Sequence, residues 1–421
     1  MMPRLLLIAA WLLVSACAPQ PSGREVVRFW AMGREGEVVR ELLPEFERRH
    51  PGLRVEVQQI PWSAAHEKLL TAFAGGTLPD VCQLGNTWLP EFAALDALAP
   101  LDARVAASGV ISREDYFPGI WNTNVVSGQL RGVPWYVDTR LLFYRRDILR
   151  AAGFETPPAT WPEWQAMLAA ITRQGQGERY GILLPLNEPE PLIALALQQG
   201  EPLLREEGRW GGFSSEGFRR ALRFYTAMFE NGWAPRLAGA QISNVWDEFG
   251  RGRFAFYISG PWNIGEFKRR LPAERQDDWM TAPLPGPDGP GASTAGGSSL
   301  VVFRSARQRE AAWRLVEYLS EPEVQLRFHA LTGNLPPRRS AWQDERLAAD
   351  PHARAFRDQL ERVRPAPKVP EWERIVSEMQ HLAEEVVRGR TDVEAGTRAL
   401  DRKVDAILEK RRWLAARGRA G

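Results

Sequence analysis

The stretch VVRFWAMGREGEVVRELLPEFERRHPGLRVEVQQIPWSAAHEKLLTAFAGGTLPDVCQL, residues Val26–Leu84, decides the fold of this chain. Three apolar runs in it are typical of strands, and two segments between them carry apolar residues at helical spacing. The strand candidates are Val26–Trp30, Leu53–Val57 and Leu78–Leu84, and the helix candidates are Val38–Phe46, with a kink at Pro44, and Ser63–Ala74. This β-α-β-α-β order predicts an α/β fold with a mainly parallel sheet, helices on both faces, and ligands at the carboxyl ends of the strands.

The beginning of the chain indicates export. A positively charged start precedes the unbroken apolar run Leu5–Val14, which is much shorter than the roughly 20 residues that cross a bilayer. We therefore expect residues 1–16 to form a signal peptide. The stretch Val14–Cys17 resembles a bacterial lipobox, so Cys17 is expected to carry a lipid and residues 17–24 to form a linker. The alternative is an ordinary signal peptide with an incidental cysteine.

Length and charge limit the number of lobes and the kinds of ligand to expect. A chain of 421 residues exceeds the roughly 250–300 residues that one hydrophobic core usually supports, which predicts two lobes. A hydrophobic fraction of 44% and a charged fraction of 25% are ordinary for globular proteins. The net charge of +2, with arginines interleaved among acidic residues, excludes strong attraction to nucleic acid. The run Lys410–Arg412 is interpreted as a solvated tail.

Tryptophan is the unusual feature of the composition. The chain has 17 tryptophans and only 7 tyrosines. Indole rings stack on the flat C–H faces of sugar rings, so an exported protein rich in tryptophan favours a carbohydrate ligand. Cys82 is the one other cysteine and lies in an apolar run, which predicts a buried hydrophobic residue and no intramolecular disulfide.

Motifs of catalysis or metal binding are missing from the sequence. It contains no C-x-x-C, H-E-x-x-H, G-x-S-x-G or P-loop pattern. The histidines are scattered without metal-ligand spacing, at His50, His66, His329, His352 and His381. We therefore expect no metal and no cofactor. A glycoside hydrolase needs only two suitably spaced carboxylates, so that alternative stays open.

Later parts of the chain contain helix starts and breaks. Four pairs have the spacing of a capping box: Thr160 with Glu163, Ser305 with Gln308, Ser320 with Glu323, and Thr391 with Glu394. Two stretches rich in proline and glycine, Pro283–Gly291 and Leu335–Arg338, interrupt the pattern and predict places where the chain changes lobe.

The run Gly132–Asp147, GVPWYVDTRLLFYRRD, resembles the crossover segment of the extracellular solute-binding proteins of sugar ABC transporters. That family includes the maltose-binding protein. Further stretches that fit it, in the family's order, are Phe46–Gly52, Gly76–Val81, Phe254–Trp262 and Gly296–Leu300.

The resemblance implies a two-lobed periplasmic-binding-protein fold of class II, in which a hinge is crossed three times and the lobes close around the ligand. The crossings are expected near Val133–Arg140, Pro283–Ser293 and Thr332–Arg338. The expected N-terminal lobe comprises residues 25–134 and 290–333, and the C-terminal lobe comprises residues 135–289 and 334–421.

The function that the resemblance implies is capture of a mono- or oligosaccharide and its delivery to a membrane permease driven by a cytoplasmic ATPase. The protein is then an exported, lipid-anchored, monomeric binding protein of the periplasm or cell surface, and not an enzyme. A non-sugar solute, such as a polyamine, a glycerophosphodiester or an iron complex, is the alternative within this architecture. An exported glycoside hydrolase is the alternative outside it.

The ligand-binding residues that the resemblance implies combine aromatic and charged side chains. Trp262 and Trp372 resemble the family's stacking aromatics, with core packing as their alternative. Asp138 and Arg140 suit hydroxyl groups through charge-assisted hydrogen bonds, with a salt bridge that fixes the hinge as the alternative. The other candidates are Glu35, Asn86, Thr87, Trp88, Trp135, Tyr136, Glu188, Gly297 and Asn334.

Overall fold

The computed structural model describes residues 23–242 and 244–417. The expected signal peptide and the lipidation site Cys17 lie outside the described residues. Nine strands of the described part form two larger sheets. They are β1 (Glu25–Met32), β2 (Leu53–Ile60), β3 (Val81–Gly85), β4 (Val133–Val137), β5 (Leu141–Arg145), β6 (Tyr180–Leu183), β7 (Phe254–Ser259), β8 (Trp279–Ala282) and β9 (Gly297–Val302). The first sheet has the order β2-β1-β3-β9-β4, and the second has the order β8-β5-β7-β6.

Helices flank both sheets. Those packed with the first sheet include Gly33–Val38, Leu43–Arg49, Trp62–Ala74, Leu89–Ala94, Asp102–Ala106, Pro118–Thr123, Arg309–Ser320 and Pro322–Thr332. Those that follow in the second lobe include Arg146–Ala151, Trp161–Gln174, Glu190–Leu197, Glu216–Glu230, Val245–Gly250, Trp262–Arg270, Glu345–Ala348, Pro351–Leu360, Trp372–Val387, Val393–Ile407 and Glu409–Ala415. Across the described residues, none of the helices combines the length and apolar character that a bilayer span requires.

The β-α-β-α-β unit predicted at the start of the chain is confirmed. β1 pairs in parallel with β2 on one side and with β3 on the other. The helix expected at Val38–Phe46 is interrupted: an α-helix ends at Val38, a short 3₁₀ turn follows, and a new helix begins at Leu43. Pro44 lies in the first turn of this new helix, where its missing N–H needs no partner. The proline therefore starts a helix and does not kink one.

The predicted α/β fold is confirmed, with one correction: the sheets are mixed and not mainly parallel. β9 is antiparallel to both β3 and β4. In the second sheet β5 is antiparallel to β7 and β8, and only β7 and β6 are parallel. The crossings explain this difference. β9 enters the first sheet after the chain has returned from the second, and it therefore runs opposite to β3.

The first crossing is very short. β4 ends at Val137 and β5 begins at Leu141, so the first crossing consists of residues 138–140 only. The third crossing runs beside it, because Val137 N–H donates to the Leu335 carbonyl oxygen at 2.9 Å. β4 pairs with β9 as far as Val137, so the expected lobe boundary after residue 134 falls inside this strand. The lobe boundaries stay a prediction.

Each sheet has apolar packing on both faces. Phe29 and Val81 belong to one cluster of the first sheet, and Cys82 and Leu84 belong to the cluster on its other side. Cys82 is fully buried, as expected for a small hydrophobic residue. Because both faces are covered, the strands are rigid, and the polar residues at their ends are held in fixed positions.

One of the four predicted capping boxes is confirmed. Glu163 N–H donates to Thr160 Oγ1 at 3.3 Å, and Thr160 N–H donates to Glu163 Oε2 at 3.1 Å. The boxes at Ser305, Ser320 and Thr391 are wrong, because the helices there begin at Arg309, Pro322 and Val393. The last of these is capped by Asp392, whose Oδ1 accepts from Ala395 N–H at 2.6 Å.

Candidate functional site

A charged cluster occupies the first crossing. Arg140 Nε lies 3.4 Å from Asp138 Oδ1, and Arg140 Nη2 lies 3.7 Å from Glu190 Oε1. The guanidinium carbon is 4.6 Å from the centre of the Trp262 ring, which is a cation–π distance. Only 13% of the Arg140 side chain is exposed. A nearly buried cation thus joins two carboxylates and an indole at the point where the sheets meet.

The local structure explains how these side chains converge. Trp262 begins a helix directly after β7, and its ring packs so closely on Gly260 that any Cβ there would overlap it. Glu190 begins the helix Glu190–Leu197, where a carboxylate interacts favourably with the helix dipole. Asp138 and Arg140 are placed by the ends of β4 and β5. Asp138, Arg140 and Trp262 lie next to the ends of strands, and Glu190 lies in the segment that follows β6.

The electrostatics of this cluster are set by burial and by an excess of carboxylates. Burial raises the pKa of Asp138 and of Glu188, and the Arg140 guanidinium partly offsets both shifts. Burial alone would lower the pKa of Arg140, but Asp138, Glu190 and Glu188 together raise it above its ordinary value. One firmly charged cation therefore lies among three carboxylates, which leaves the site with acceptors for hydroxyl or ammonium donors.

Glu35 faces this cluster from the first lobe. Asn334 Nδ2 donates to Glu35 Oε1 at 2.7 Å. Burial raises the pKa of Glu35, and its hydrogen bonds oppose that shift. The Trp62 indole lies beside Glu35 over Gly33, and 39% of Trp62 is exposed. Trp62 also meets Trp88 edge to face at 5.8 Å between ring centroids, so the first lobe presents a carboxylate and two indoles.

A second contact between the lobes involves Glu373, at the start of the helix Trp372–Val387. Burial raises the pKa of Glu373, while Thr87 and His66 partly offset the shift. His66 Nε2 is 2.6 Å from Glu91 Oε2, and this partner raises the pKa of His66. Glu373 belongs to the second lobe and the other groups to the first, so the two lobes meet here as well.

Two glycines allow the strands at the crossing to approach closely. A Cβ on Gly296 would overlap the carbonyl oxygen of Asp138, and one on Gly297 would lie 2.5 Å from the carbonyl oxygen of Tyr136. Tyr136 itself is buried, and its Oη accepts hydrogen bonds from Gln83 Nε2 at 2.8 Å and Ser298 Oγ at 2.9 Å. This network anchors the end of β4 beneath the charged cluster.

The structure corrects the expected position of two tryptophans. Trp135 is 1% exposed and stacks on Phe328 at 4.5 Å in the core of the first lobe. Trp372 is also 1% exposed and lies in the core of the second lobe. A buried indole offers no free face to a sugar ring, so neither residue is a candidate for direct stacking.

The remaining predicted residues fall into two groups. Glu35, Trp88, Asp138, Arg140, Glu188 and Trp262 are partly accessible and belong to the groups just described. Asn334, Asn86 and Gly297 act through the backbone or through a neighbour: Asn86 Nδ2, for example, donates to the Ala295 carbonyl oxygen at 2.7 Å. Thr87 contacts Glu373 at the second contact between the lobes.

Sequence reasoning missed Trp62, Glu190 and Glu373. Trp62 follows the end of β2, and the rule that ligands bind beyond the carboxyl ends of strands could have found it. Glu190 lies two residues after Glu188, which was selected instead. Glu373 is the neighbour of Trp372, and it is the side chain of this segment that reaches the first lobe.

The raised pKa of Glu188 predicts that this residue affects the stability of the folded protein in a pH-dependent way. A carboxyl whose pKa is higher in the folded than in the unfolded protein disfavours folding once pH rises above its unfolded value. We expect Glu188→Gln to raise the melting temperature of the ligand-free protein at pH 7 and to leave it nearly unchanged at pH 4. Thermal unfolding across this range, with exposed Glu207→Gln as control, measures the effect. A constant difference at both pH values would contradict it.

Comparison with known proteins shows which family the chain resembles. The model of the bacterial extracellular solute-binding protein family matches residues 32–326. The chain is similar to the sugar-binding protein MalE of Xanthomonas citri, with 57% identity, coverage of 93% of this chain and 99% of that chain, and a TM-score of 0.89. It is also similar to an ABC transporter solute-binding protein of Thermotoga lettingae, solved with α-D-tagatose, with 25% identity, coverage of 91% and 100%, and a TM-score of 0.81.

A related lipoprotein extends the comparison. A lipoprotein of Streptomyces antibioticus is 28% identical over 386 residues, which are 86% of this chain and 83% of that protein. The family match covers well over half of the chain and includes the crossover segment at residues 132–147. The resemblance seen in the sequence is therefore confirmed, and the chain belongs to the bacterial extracellular solute-binding protein family.

Proposed function

We propose that this protein captures a mono- or oligosaccharide between its lobes and delivers it to an ABC importer. The observation that carries the proposal is the Asp138–Arg140–Glu190 cluster above Trp262, which lies on the crossing between the sheets. Similarity to the sugar-binding MalE of Xanthomonas citri and to a protein solved with a ketohexose supports it.

The chemistry of the cluster suits a sugar. Carboxylates and a guanidinium form charge-assisted hydrogen bonds that orient hydroxyl groups. The exposed indole of Trp62 and the partly accessible indole of Trp262 offer apolar surface to the C–H groups of a pyranose ring. A ligand that contacts Glu35 and Trp62 in one lobe and Trp262 in the other favours the closed arrangement, because it binds that arrangement more tightly than the open one.

We propose further that the ligand is released unchanged. The family and its solved members are binding proteins. The carboxylates of the site are engaged by Arg140 or by Asn334, and their proposed role is to accept hydrogen bonds. Recovery of the intact oligosaccharide after prolonged incubation tests this; hydrolysis that is lost in Glu35→Gln or Asp138→Asn would identify a glycoside hydrolase instead.

The proposed partners follow from the family. A membrane permease receives the sugar, and its cytoplasmic ATPase drives the import. The protein acts as an exported monomer that a lipid on Cys17 attaches to the membrane. Export is supported by the extracellular character of the family, and the lipid anchor by the related lipoprotein. Mass spectrometry of the purified native protein tests the anchor by the diacylglycerol mass on the N-terminal peptide.

A cationic solute is the second candidate ligand. Asp138, Glu188 and Glu190 surround a single guanidinium, so the site has more negative than positive groups. This excess favours a polyamine and disfavours the anionic glycerophosphodiesters. The same carboxylates and guanidinium can also bind sugar hydroxyls, and the accessible indoles of Trp62 and Trp262 favour the sugar.

A thermal-shift screen of the mature protein tests the proposal directly. Mono-, di- and trisaccharides are compared with polyamines and glycerophosphodiesters, because a ligand at 100 times its Kd stabilises the folded state by about 2.7 kcal/mol. We expect a selective rise in melting temperature with a sugar. If the melting temperature rose with a polyamine and with no sugar, the ligand would be a cationic solute and the sugar proposal would be wrong.

Trp262→Ala is expected to weaken binding of the selected sugar. Loss of an indole at the centre of a binding site typically costs about 2 kcal/mol or more, which is roughly a 30-fold increase in Kd. Calorimetric titration measures the effect, and Trp413→Ala, which removes an exposed indole of the second lobe outside the cluster, is the matched control. Equal affinities in both variants would contradict a role of Trp262 in stacking.

A further inference from the structure

The C-terminal part of the chain carries a second distinctive surface. The helix Glu409–Ala415 follows the fully buried Leu408, which fixes its start to the second lobe. Trp413 on this helix is 50% exposed, the most exposed large apolar side chain of the described residues. Residues 410–412 therefore belong to an ordered helix and not to the solvated tail that the sequence suggested.

Basic side chains surround this tryptophan. We define the C-terminal basic patch as Lys410, Arg411, Arg412, Trp413 and Arg417. The Arg417 guanidinium carbon lies 3.8 Å from the centre of the Trp413 ring. Within residues 23–242 and 244–417, no acidic partner pairs with any of the four cations. The sequence adds Arg419 just beyond the described part.

The patch is held firmly against the body of the second lobe. The Arg412 guanidinium carbon is 3.9 Å from the centre of the Trp210 ring, and Arg412 Nη1 donates to the Arg209 carbonyl oxygen at 2.9 Å. Because Arg412 is used for this attachment, Lys410, Arg411 and Arg417 are the cations free to meet another surface. Glu409 is the one acidic residue from Glu409 to Arg417.

We propose that the C-terminal basic patch docks on the anionic headgroups of phospholipids in the membrane to which the protein is attached. Clustered lysine and arginine side chains are attracted to anionic headgroups, and tryptophan prefers the interface between headgroups and acyl chains. The whole protein has a net charge of only +2, so this attraction is local to the patch. The proposal rests on the proposed export, and not on the identity of the sugar.

Docking would orient the two lobes. The chain enters the first lobe at β1, which follows the linker from Cys17, whereas the patch lies on the second lobe. A lipid at one lobe and headgroup contacts at the other would hold the protein by two points. The second lobe would then stay at the membrane while the first lobe closes and opens.

Co-sedimentation with vesicles tests the proposal. The mature chain, residues 17–421 with Cys17→Ser, is used, so that neither the signal peptide nor an acyl chain contributes. Vesicles of phosphatidylglycerol with phosphatidylcholine are compared with vesicles of phosphatidylcholine alone. We expect binding to the anionic vesicles only, weakened by high salt because exposed charges are screened. A triple variant is expected to weaken binding to the anionic vesicles by at least about tenfold. Its substitutions are Lys410→Glu, Arg411→Glu and Arg417→Glu.

A matched control separates the patch from general charge attraction. Arg48→Glu, Arg54→Glu and Arg150→Glu change the charge equally at exposed positions elsewhere and are expected to leave vesicle binding intact. Equal loss in both triple variants, or no binding of the parent chain to anionic vesicles, would overturn the proposal. Sugar titration of the same variants is expected to give unchanged affinities, so a failure of the sugar proposal is distinguished from a failure of this one.

Discussion

Arg140→Met is expected to weaken ligand binding strongly and to destabilise the protein. Removing the guanidinium leaves Asp138, Glu188 and Glu190 without their shared counter-ion. Loss of one partner from a buried ion pair typically costs about 3–5 kcal/mol, and we expect somewhat less here because Glu190 is partly solvated. The Kd of the sugar is expected to rise at least about 100-fold, since charge-assisted hydrogen bonds and the support of the Trp262 ring are lost together.

Urea unfolding and calorimetric titration measure these two effects of the Arg140 substitution. Arg140→Lys is the control, because it keeps the charge and removes the planar guanidinium. It is expected to recover most of the stability and only part of the affinity. If Arg140→Met bound sugar normally while being destabilised, the alternative would hold, and the ion pair would serve only to fix the hinge.

Gly296→Ala is expected to have the second large effect. A Cβ at this position overlaps the carbonyl oxygen of Asp138, a backbone atom that cannot rotate away. The strands at the crossing must separate, and such overpacking costs about 1–3 kcal/mol or more. Displacement of Asp138 also disturbs its pairing with Arg140, so the sugar affinity is expected to fall by about tenfold or more.

Gly289→Ala is the matched control for Gly296→Ala. It lies in the second crossing, nothing is within 4 Å of its added Cβ, and its backbone does not have the left-handed φ that disfavours alanine. We expect it to change neither the unfolding midpoint nor the affinity. Equal behaviour of the two alanine variants would show that the close approach at Gly296 does not determine the geometry of the site.

Local patterns predicted the opening unit of the fold. The three strand candidates and the second helix candidate between Val26 and Leu84 are present with small shifts in their ends, because alternation and turn residues are local signals. The first helix candidate, Val38–Phe46, is divided between two helices and a 3₁₀ turn. The mixed direction of the sheets could not be predicted from the same signals. The direction of β9 depends on where the chain re-enters the first sheet after the second lobe. The sequence of Gly297–Val302 alone does not contain this information.

The site shows the same division between local and distant information. Asp138 and Arg140 lie on a recognisable segment, but their partners Glu190 and Trp262 are brought to them by the second sheet. Trp135 is only three residues from Asp138 and lies in the core instead. Every residue of β4 is buried, so the alternation that normally separates inward from outward side chains gave no indication.

The shortness of the first crossing has a mechanical consequence for uptake. In the hinge motion that we propose, Asp138 and Arg140 would lie near the rotation axis, because they belong to the short connection between β4 and β5. Atoms near a rotation axis are displaced least when two bodies turn about it. Their positions relative to a bound sugar would therefore change little between the open and closed states, whereas Glu35 and Trp62 would move farther. A ligand would bind first to Asp138 and Arg140, whose positions are already set in the open state. It would gain the remaining contacts as the lobes close. The association rate would then depend mainly on Asp138 and Arg140. The residence time of the ligand would depend mainly on Glu35 and Trp62, which contact it last.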